Sequence, residues 1–459
     1  MLATAPIQFP GEPESNSERA RVARGEPVAQ RTFTPTQAVL ARSAGAYHWT
    51  PEGRKLVDFS SGVLVANLGH NPVDWWDRVW RIMGLNATAA SDRYIPAAPL
   101  TSYNAISPLE GQAVERLIDN LRRQPGGQRM EQVFWAASGS EAIQKALWAA
   151  MRRVPGREMV LATRRGFHGK KGLANAVTGS ESDPDRDPRV RFLRFPCDEC
   201  ADVTLRGKPI DLSPFRQELE LLTQEFGDRI GTLITEPYLG GGGSYHPQPE
   251  YLQMLQQYCR EHDIVLVLDE IQSCFGRTGP MYAFSHYGIE PDVVCLGKGL
   301  GNGIPVSAAV GRSDIFASLK YGEGSDTFSG HPLACAAVIA TLDIFESTDI
   351  LERGRQLASV LEAGLLRMKE TGVVVRVRGE GAVWGIECAA VGNRPAEQIA
   401  NDCVRACYLG DDAGRSIHLL GPLAGRVIRI SPPLVLDVAE AQEYLDVMYR
   451  LLIQVRDAA

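Results

Sequence analysis

Apolar positions in the middle of the chain fall into two recurring patterns. Short, nearly continuous apolar runs at 132–136, 159–163, 190–194, 230–235, 264–268 and 291–296 predict strands buried on both faces. Between them lie stretches with helical spacing at 140–153, 212–225 and 251–260, the last with apolar residues at 251/252, 254/255 and 258/259. This alternation predicts an α/β domain with a mostly parallel sheet flanked by helices. A long helical stretch follows over roughly 332–369. Beyond it, 373–386 and 426–430 predict strands of a smaller α+β unit, closed by a helix from about 438 to 456. Residues 45–59 predict two short strands around the turn Pro51-Glu52-Gly53. The expected division is an N-terminal arm over 1–34, small-domain residues 35–78, a large domain over 79–345 and a C-terminal small domain over 346–459, so the small domain takes chain from both ends.

Composition narrows the function classes. The chain has 459 residues, 44% hydrophobic and 22% charged, with a formal net charge of −7. That balance implies no general affinity for nucleic acid or an anionic membrane. No apolar run approaches the roughly 18–20 residues of a membrane span. Nine cysteines, an odd number without a secretory signal, suit free thiols in a reducing, cytoplasmic setting. Residues 1–30 mix Glu14, Glu18 and Glu26 with Arg19, Arg21 and Arg24, which suits a flexible or draped arm and not a targeting peptide.

Open α/β sheets bind ligands beyond the carboxyl ends of their strands, and three predicted strand ends carry chemistry. The run 264–268 leads into Asp269-Glu-Ile-Gln272, where a carboxylate could pair with a protonated ring nitrogen. The run 291–296 leads into Gly297-Lys298-Gly299, where glycines leave room beside an amine able to form a Schiff base. Between the strand at 132–136 and the next helix lies Ser138-Gly-Ser-Glu-Ala142. Ser138 and Glu141 there suit a capping box, and small residues leave amides open to a phosphate at the helix N-terminus. Taken singly, each reads more readily as a helix cap or a solvated loop residue.

Together they are specific. Ser-Gly-Ser-Glu-Ala (138–142), Phe-His-Gly (167–169), Asp-Glu-Ile-Gln with Gly-Arg-Thr-Gly (269–279), Gly-Lys-Gly with Gly-Ile-Pro (297–305) and Thr-Phe-Ser-Gly-His-Pro-Leu-Ala (327–334) occur in that order. In order and spacing the chain resembles the class III (ω-) aminotransferases over about residues 35–455. Asp58-Phe, Gly69-His70, and Arg378-Gly followed by Gly385-Ile-Glu extend the likeness. The resemblance implies fold type I, the cofactor pyridoxal 5′-phosphate (PLP), and amino transfer from an amine or ω-/α-amino acid to a 2-oxo acid by a ping-pong mechanism.

By that resemblance Lys298 carries PLP as a Schiff base and then shuttles the proton between the substrate's Cα and C4′ of the cofactor. Asp269 holds the pyridinium nitrogen. Phe167 and Ile271 lie against the two ring faces, and Gln272 bonds the phenolic oxygen. Ser138, Gly139 and Ser140 surround the phosphate, and His168 and Glu236 also belong to the cofactor site. Thr327 reaches the phosphate of a neighbouring subunit, which implies a homodimer. Arg429, within Arg426-Val-Ile-Arg-Ile-Ser-Pro-Pro-Leu, matches the family's carboxylate-binding arginine, and Val63 lines the outer pocket.

Three departures bear on substrate. Many members that use 2-oxoglutarate carry a second glutamate where this chain has Gly241. His331 stands after Gly330 where those members have asparagine. Both features resemble the branch taking pyruvate or a similar small oxo acid, whereas Gln272 belongs to the other branch. Lys170 stands where some members that bind an ω-carboxylate have arginine; it would hold an anionic tail as a point charge, or face solvent. Cys197-Asp-Glu-Cys200 has no second cysteine pair nearby, so no metal site is expected. Racemases, epimerases and aminomutases of the same fold share the lysine and aspartate, and a non-catalytic homologue is a remote third possibility.

Overall fold

The structure, a computed structural model, describes residues 6–86, 93–184 and 186–458. Its strands, in chain order, are β1 (Arg42–Ala44), β2 (Tyr47–Trp49), β3 (Lys55–Asp58), β4 (Gln132–Ala136), β5 (Met159–Thr163), β6 (Val190–Leu193), β7 (Ile230–Thr235), β8 (Val265–Asp269), β9 (Val293–Leu296), β10 (Ser307–Gly311), β11 (Val374–Glu380), β12 (Val383–Cys388), β13 (Ser416–His418) and β14 (Val427–Ile430). The chain divides into two compact units, one of residues 1–72 with 352–459 and one of residues 73–351.

The unit of residues 73–351 is built on a seven-stranded sheet in the order β4-β10-β9-β8-β7-β5-β6. The pairs β9/β8, β8/β7, β7/β5 and β5/β6 are parallel. β10 runs antiparallel to both neighbours. Every residue of β5, β7, β8 and β9 is buried, which is why these segments are continuously apolar and do not alternate. β10, Ser-Ala-Ala-Val-Gly, gives no comparable signal: its residues are small, and five positions carry too little periodicity to separate strand from loop. Helix Gly139–Arg152 buries Ile143, Ala146, Leu147 and Ala150 against β-strand residues such as Val267, Val293 and Ala309.

The long helical stretch expected over 332–369 is two helices, Pro332–Ser347 and Ile350–Arg367. Thr348 breaks it with extended backbone, its hydroxyl donating to the Ile344 carbonyl at 2.7 Å. Ser-Thr-Asp is a sequence that competes with helix backbone bonding, so the break has a local cause.

The unit of residues 1–72 and 352–459 holds two sheets, β1-β2-β3-β13 and the antiparallel β11-β12-β14. β13 pairs with β3 in parallel, joining the two ends of the chain. The expected strand over 373–386 is the hairpin β11/β12. The last helix, Val438–Asp457, is capped by Asp437, whose carboxylate accepts the amides of Ala439 and Glu440. The N-terminal segment contains helix Pro13–Gly25. Its Arg19 is buried, 2.7 Å from Glu12 and 3.1 Å from the Tyr408 hydroxyl. Arg54 also pairs with Glu12, and the Phe9 and Tyr408 rings lie 5.3 Å apart. Among the described residues no helix is long and apolar enough to cross a membrane.

A buried charge left without its partner is costly. Arg19→Ala should therefore lower stability by about 3 kcal/mol, read as the shift in the urea midpoint. An unchanged midpoint would mean that the N-terminal helix is undocked in solution.

Candidate active site

Strand direction assembles the site. β4 is antiparallel to β10 and β10 is antiparallel to β9, so β4 shares the direction of the parallel strands. The carboxyl ends of β4, β5, β7, β8 and β9 therefore lie along one edge of the sheet. Ser138, Phe167, Glu236, Asp269 and Lys298 each sit at such an end or in the loop leaving it.

The Ile271 side chain is the point where three of these loops meet. It is 8% exposed. A Cβ at Gly139 would lie 3.0 Å from Ile271 Cδ1, and one at Gly297 would lie 3.3 Å from Ile271 Cγ2 and 2.7 Å from Ser307 Oγ. Glycine at 139 and 297 thus lets the start of helix Gly139–Arg152 and the Lys298 loop close on the segment after β8. Lys298 itself is half-buried, with φ 45°, a left-handed conformation uncommon for a side-chain-bearing residue. Such strain, worth about 1–3 kcal/mol, often accompanies function.

Asp269 is buried, one oxygen 2.8 Å from His168 Nδ1 and the other accepting the Ile271 amide at 3.0 Å. Burial opposes a charge on His168, but the bond to Asp269 outweighs it and raises the imidazole's pKa. Glu236 is also buried and accepts the amides of Phe167 at 2.9 Å and Gly240 at 3.1 Å. Desolvation, helped by the nearby charge of Asp269, pushes its carboxyl up to about 7. Gly240 and Gly241 complete this wall. A Cβ at Gly240 would lie 2.3 Å from the Gln272 side-chain oxygen, and one at Gly241 would lie 2.8 Å from Phe167 Cβ. Phe167 remains 39% exposed, so its ring has surface to offer a planar ligand.

The expected capping box is present: Glu141 N donates to Ser138 Oγ, and the Glu141 carboxylate accepts the amides of Ala137 and Ser138. Gly139 and Ser140 occupy the first two helical positions, where amides have no intrahelical acceptor. These amides and the helix dipole suit an anion.

Other expected residues lie elsewhere. Thr327 and Lys170 are exposed. Val63 and Arg429 belong to the unit of residues 1–72 and 352–459; Val63 is exposed with φ 70°, and Arg429 is buried on β14. All nine cysteines are free thiols. Cys200 is buried with its thiol 2.9 Å from the Pro196 carbonyl, and Cys197 is partly exposed.

Lys145 was not singled out from the sequence. It lies on helix Gly139–Arg152, buried, and its ammonium donates to the Trp135 carbonyl at 2.6 Å, Asp326 at 2.8 Å and Ser329 Oγ at 3.0 Å. It ties helix Gly139–Arg152 to the loop bearing Thr327. One sequence signal existed: a lysine set between Ala142 and Ala146 on a helix otherwise small or apolar on that side.

Comparison with known proteins identifies the family. The family described as aminotransferase class-III matches residues 28–452. The acetylornithine aminotransferase of Methanothermobacter thermautotrophicus is 28% identical over 422 residues, covering 91% of this chain and 94% of the relative. The omega-aminotransferase of Caulobacter vibrioides is 29% identical over 449 residues, covering 93% and 95%. Among solved structures, the ornithine aminotransferase from Toxoplasma gondii superposes with a TM-score of 0.79 at 22% identity, covering 99% of this chain and 97% of its own, which shows a common fold.

Replacing Lys145 removes three hydrogen bonds at once. Lys145→Met should cost about 1–3 kcal/mol and speed amide hydrogen exchange at 326–330 more than in helix Pro332–Ser347. Equal protection in both variants would show that the loop does not depend on the lysine.

Proposed function

Because the chain belongs to the class III aminotransferases, we propose that it transfers an amino group from an amine or amino-acid donor to a small 2-oxo acid, with Lys298 and Asp269 as its catalytic pair. The family's cofactor is PLP, and the residues present fit it. The observation that supports this is the packing of Ile271 against Gly139 and Gly297 beside buried Asp269, which draws the helix start, the Asp269 segment and the Lys298 loop close together. When bound, PLP supplies an electron-poor ring that accepts the electron pair of the substrate's Cα–H bond.

The chain's own residues do the rest. Asp269, fixed by His168 and the Ile271 amide, presents its carboxylate to the ring nitrogen. The raised pKa of Glu236 lessens the negative charge beside it. The amides of Gly139 and Ser140, with Ser138, receive the phosphate. Phe167 and Ile271 bound the ring's two faces, and Gln272 addresses its phenolic oxygen. Lys298 Nζ anchors the cofactor and takes and returns the proton at the substrate's Cα.

The family pattern gives the substrate carboxylate to Arg429 and adds Val63 and Lys170 as substrate-binding residues. A small oxo acid suits Gly241, which stands where many members that use 2-oxoglutarate carry a second glutamate. A homodimer, with Thr327 completing the partner subunit's phosphate site, suits the exposed apolar residues Leu100, Ile106, Tyr321 and Phe328.

Lys298→Ala should lower turnover roughly 10⁴-fold or more, and Asp269→Asn at least about 100-fold. Steady-state assays with a donor panel against pyruvate and 2-oxoglutarate check this, alongside borohydride trapping, which should fix cofactor to the wild type and not to Lys298→Ala. Retained turnover in Lys298→Ala ends the assignment. Deuterium entering Cα without consumption of an oxo acid indicates an isomerase instead. A higher kcat/KM for 2-oxoglutarate than for pyruvate overturns the acceptor reading alone. Sedimentation at micromolar concentration should give twice the mass of one chain; a single-chain mass removes the shared phosphate site.

A further inference from the structure

The sheet β1-β2-β3-β13 gathers three histidines around one buried carboxylate. Ser43 stands opposite His48, His48 opposite Leu56, and His418 opposite Asp58. Asp58 lies two positions beyond Leu56 on β3, so Ser43, His48, Asp58 and His418 project from one face of the sheet. His70 reaches the same carboxylate from a loop whose backbone bonds Gly45 in both directions. We propose that His48, Asp58 and His418 form a binding site for a borderline divalent transition metal ion, with zinc as the type case.

One ligand atom from each of the three residues lies within 4.8 Å of the others. A zinc tetrahedron sets such atoms roughly 3.3 Å apart, so side-chain rotation of about an ångström closes the site. His48 Nε2 already stands 3.3 Å from Asp58 Oδ2. The other groups of the cluster have fixed partners. Ser43 Oγ lies 2.7 Å from His48 Nδ1, which orients that ring with Nε2 toward the carboxylate. Ser60 donates its amide and hydroxyl to Asp58 Oδ1, and His70 Nε2 lies 2.7 Å from Oδ2.

His418 Nδ1 is shut off from water and makes no hydrogen bond among the described residues, and His48 Nε2 has the 3.3 Å approach to Asp58. A buried polar atom without a partner is costly, and a cation between imidazoles and carboxylate removes that cost. The donors suit it. Two neutral imidazoles and a carboxylate are a common zinc ligand set, with a fourth position left for water. His70 then acts through Asp58, orienting the carboxylate as second partners of metal ligands do.

Such an ion would clip β2, β3 and β13 together, joining positions 48 and 58 to position 418 near the other end of the chain. Because the ligands converge only in the folded chain, binding stabilises the fold. The test uses full-length, cofactor-loaded enzyme stripped with chelator and dialysed against zinc chloride. We expect one zinc per chain by mass spectrometry and a zinc-dependent rise in Tm of at least about 2 °C. Cobalt(II) in its place should give visible d–d bands of a low-coordinate N/O site. His48→Gln and His418→Gln should each lose most of the bound metal and the Tm response, whereas His262→Gln, an exposed control, should keep both. Wild type without stoichiometric zinc overturns the proposal, as does unchanged stoichiometry in both cluster variants.

Discussion

The close approach of Ile271 to Gly139 and Gly297 is the contact on which the candidate site depends. It is an apolar contact at the edge of a polar site, and its role is spacing. The start of one helix, the loop after β9 and the segment after β8 meet at distances at which a side chain would crowd either glycine. Shifting any of the three would separate the anion-facing amides from the lysine or the carboxylate. The rigidity behind this comes from the sheet, whose central strands are buried along their whole length. A site at strand ends inherits that precision, whereas the chemistry sits in the loops.

Buried charge is distributed by what each group is bonded to. Asp269 and Glu270 are neighbours in sequence and differ in task. Asp269 meets His168 and faces the site. Glu270 accepts the amides of Ala283 and Phe284 at 2.7 and 2.6 Å, and desolvation pushes its carboxyl up to about 7. It ties down the chain that follows β8, while Asp269 keeps its charge partner in the site. Glu236, with a similarly raised pKa, spends its lone pairs on the amides that hold Phe167 and Gly240. Of three buried acids in this region, two serve as backbone clamps for the third.

What the chain reveals without its structure follows physical lines. The parallel strands were legible because double-sided burial makes them continuously apolar, and the class III family and its PLP cofactor were legible because the glycine-bearing motifs are short, local and ordered. β10 was not, since five small residues carry no period. The long helical stretch over 332–369 was legible, but not its break at Thr348, where the backbone turns extended between two helices. Lys145 was passed over because its partners, Asp326 and Ser329, lie far along the chain. The His48–Asp58–His418 cluster is the extreme case. No spacing rule spans the distance from position 58 to 418; the parallel register of β3 and β13 creates the neighbourhood.

That register also bears on how the unit of residues 1–72 and 352–459 holds together. Its N-terminal stretch is short and carries few large apolar residues, so burial alone secures it weakly. Directional contacts supply what is missing. Glu12 is shared by Arg19, Arg54 and Tyr408, drawing residues near the N-terminus onto the helix Ala396–Leu409. Ser15 donates its amide and hydroxyl to Glu52 at 2.8 and 2.7 Å. β3 and β13 add a parallel ladder between the same two stretches of chain. Charged and hydrogen-bonded contacts of this kind fix register better than they add stability. A segment so short has many apolar ways to collapse and few ways to satisfy Glu12, Asp58 and their partners together, and that difference selects one arrangement.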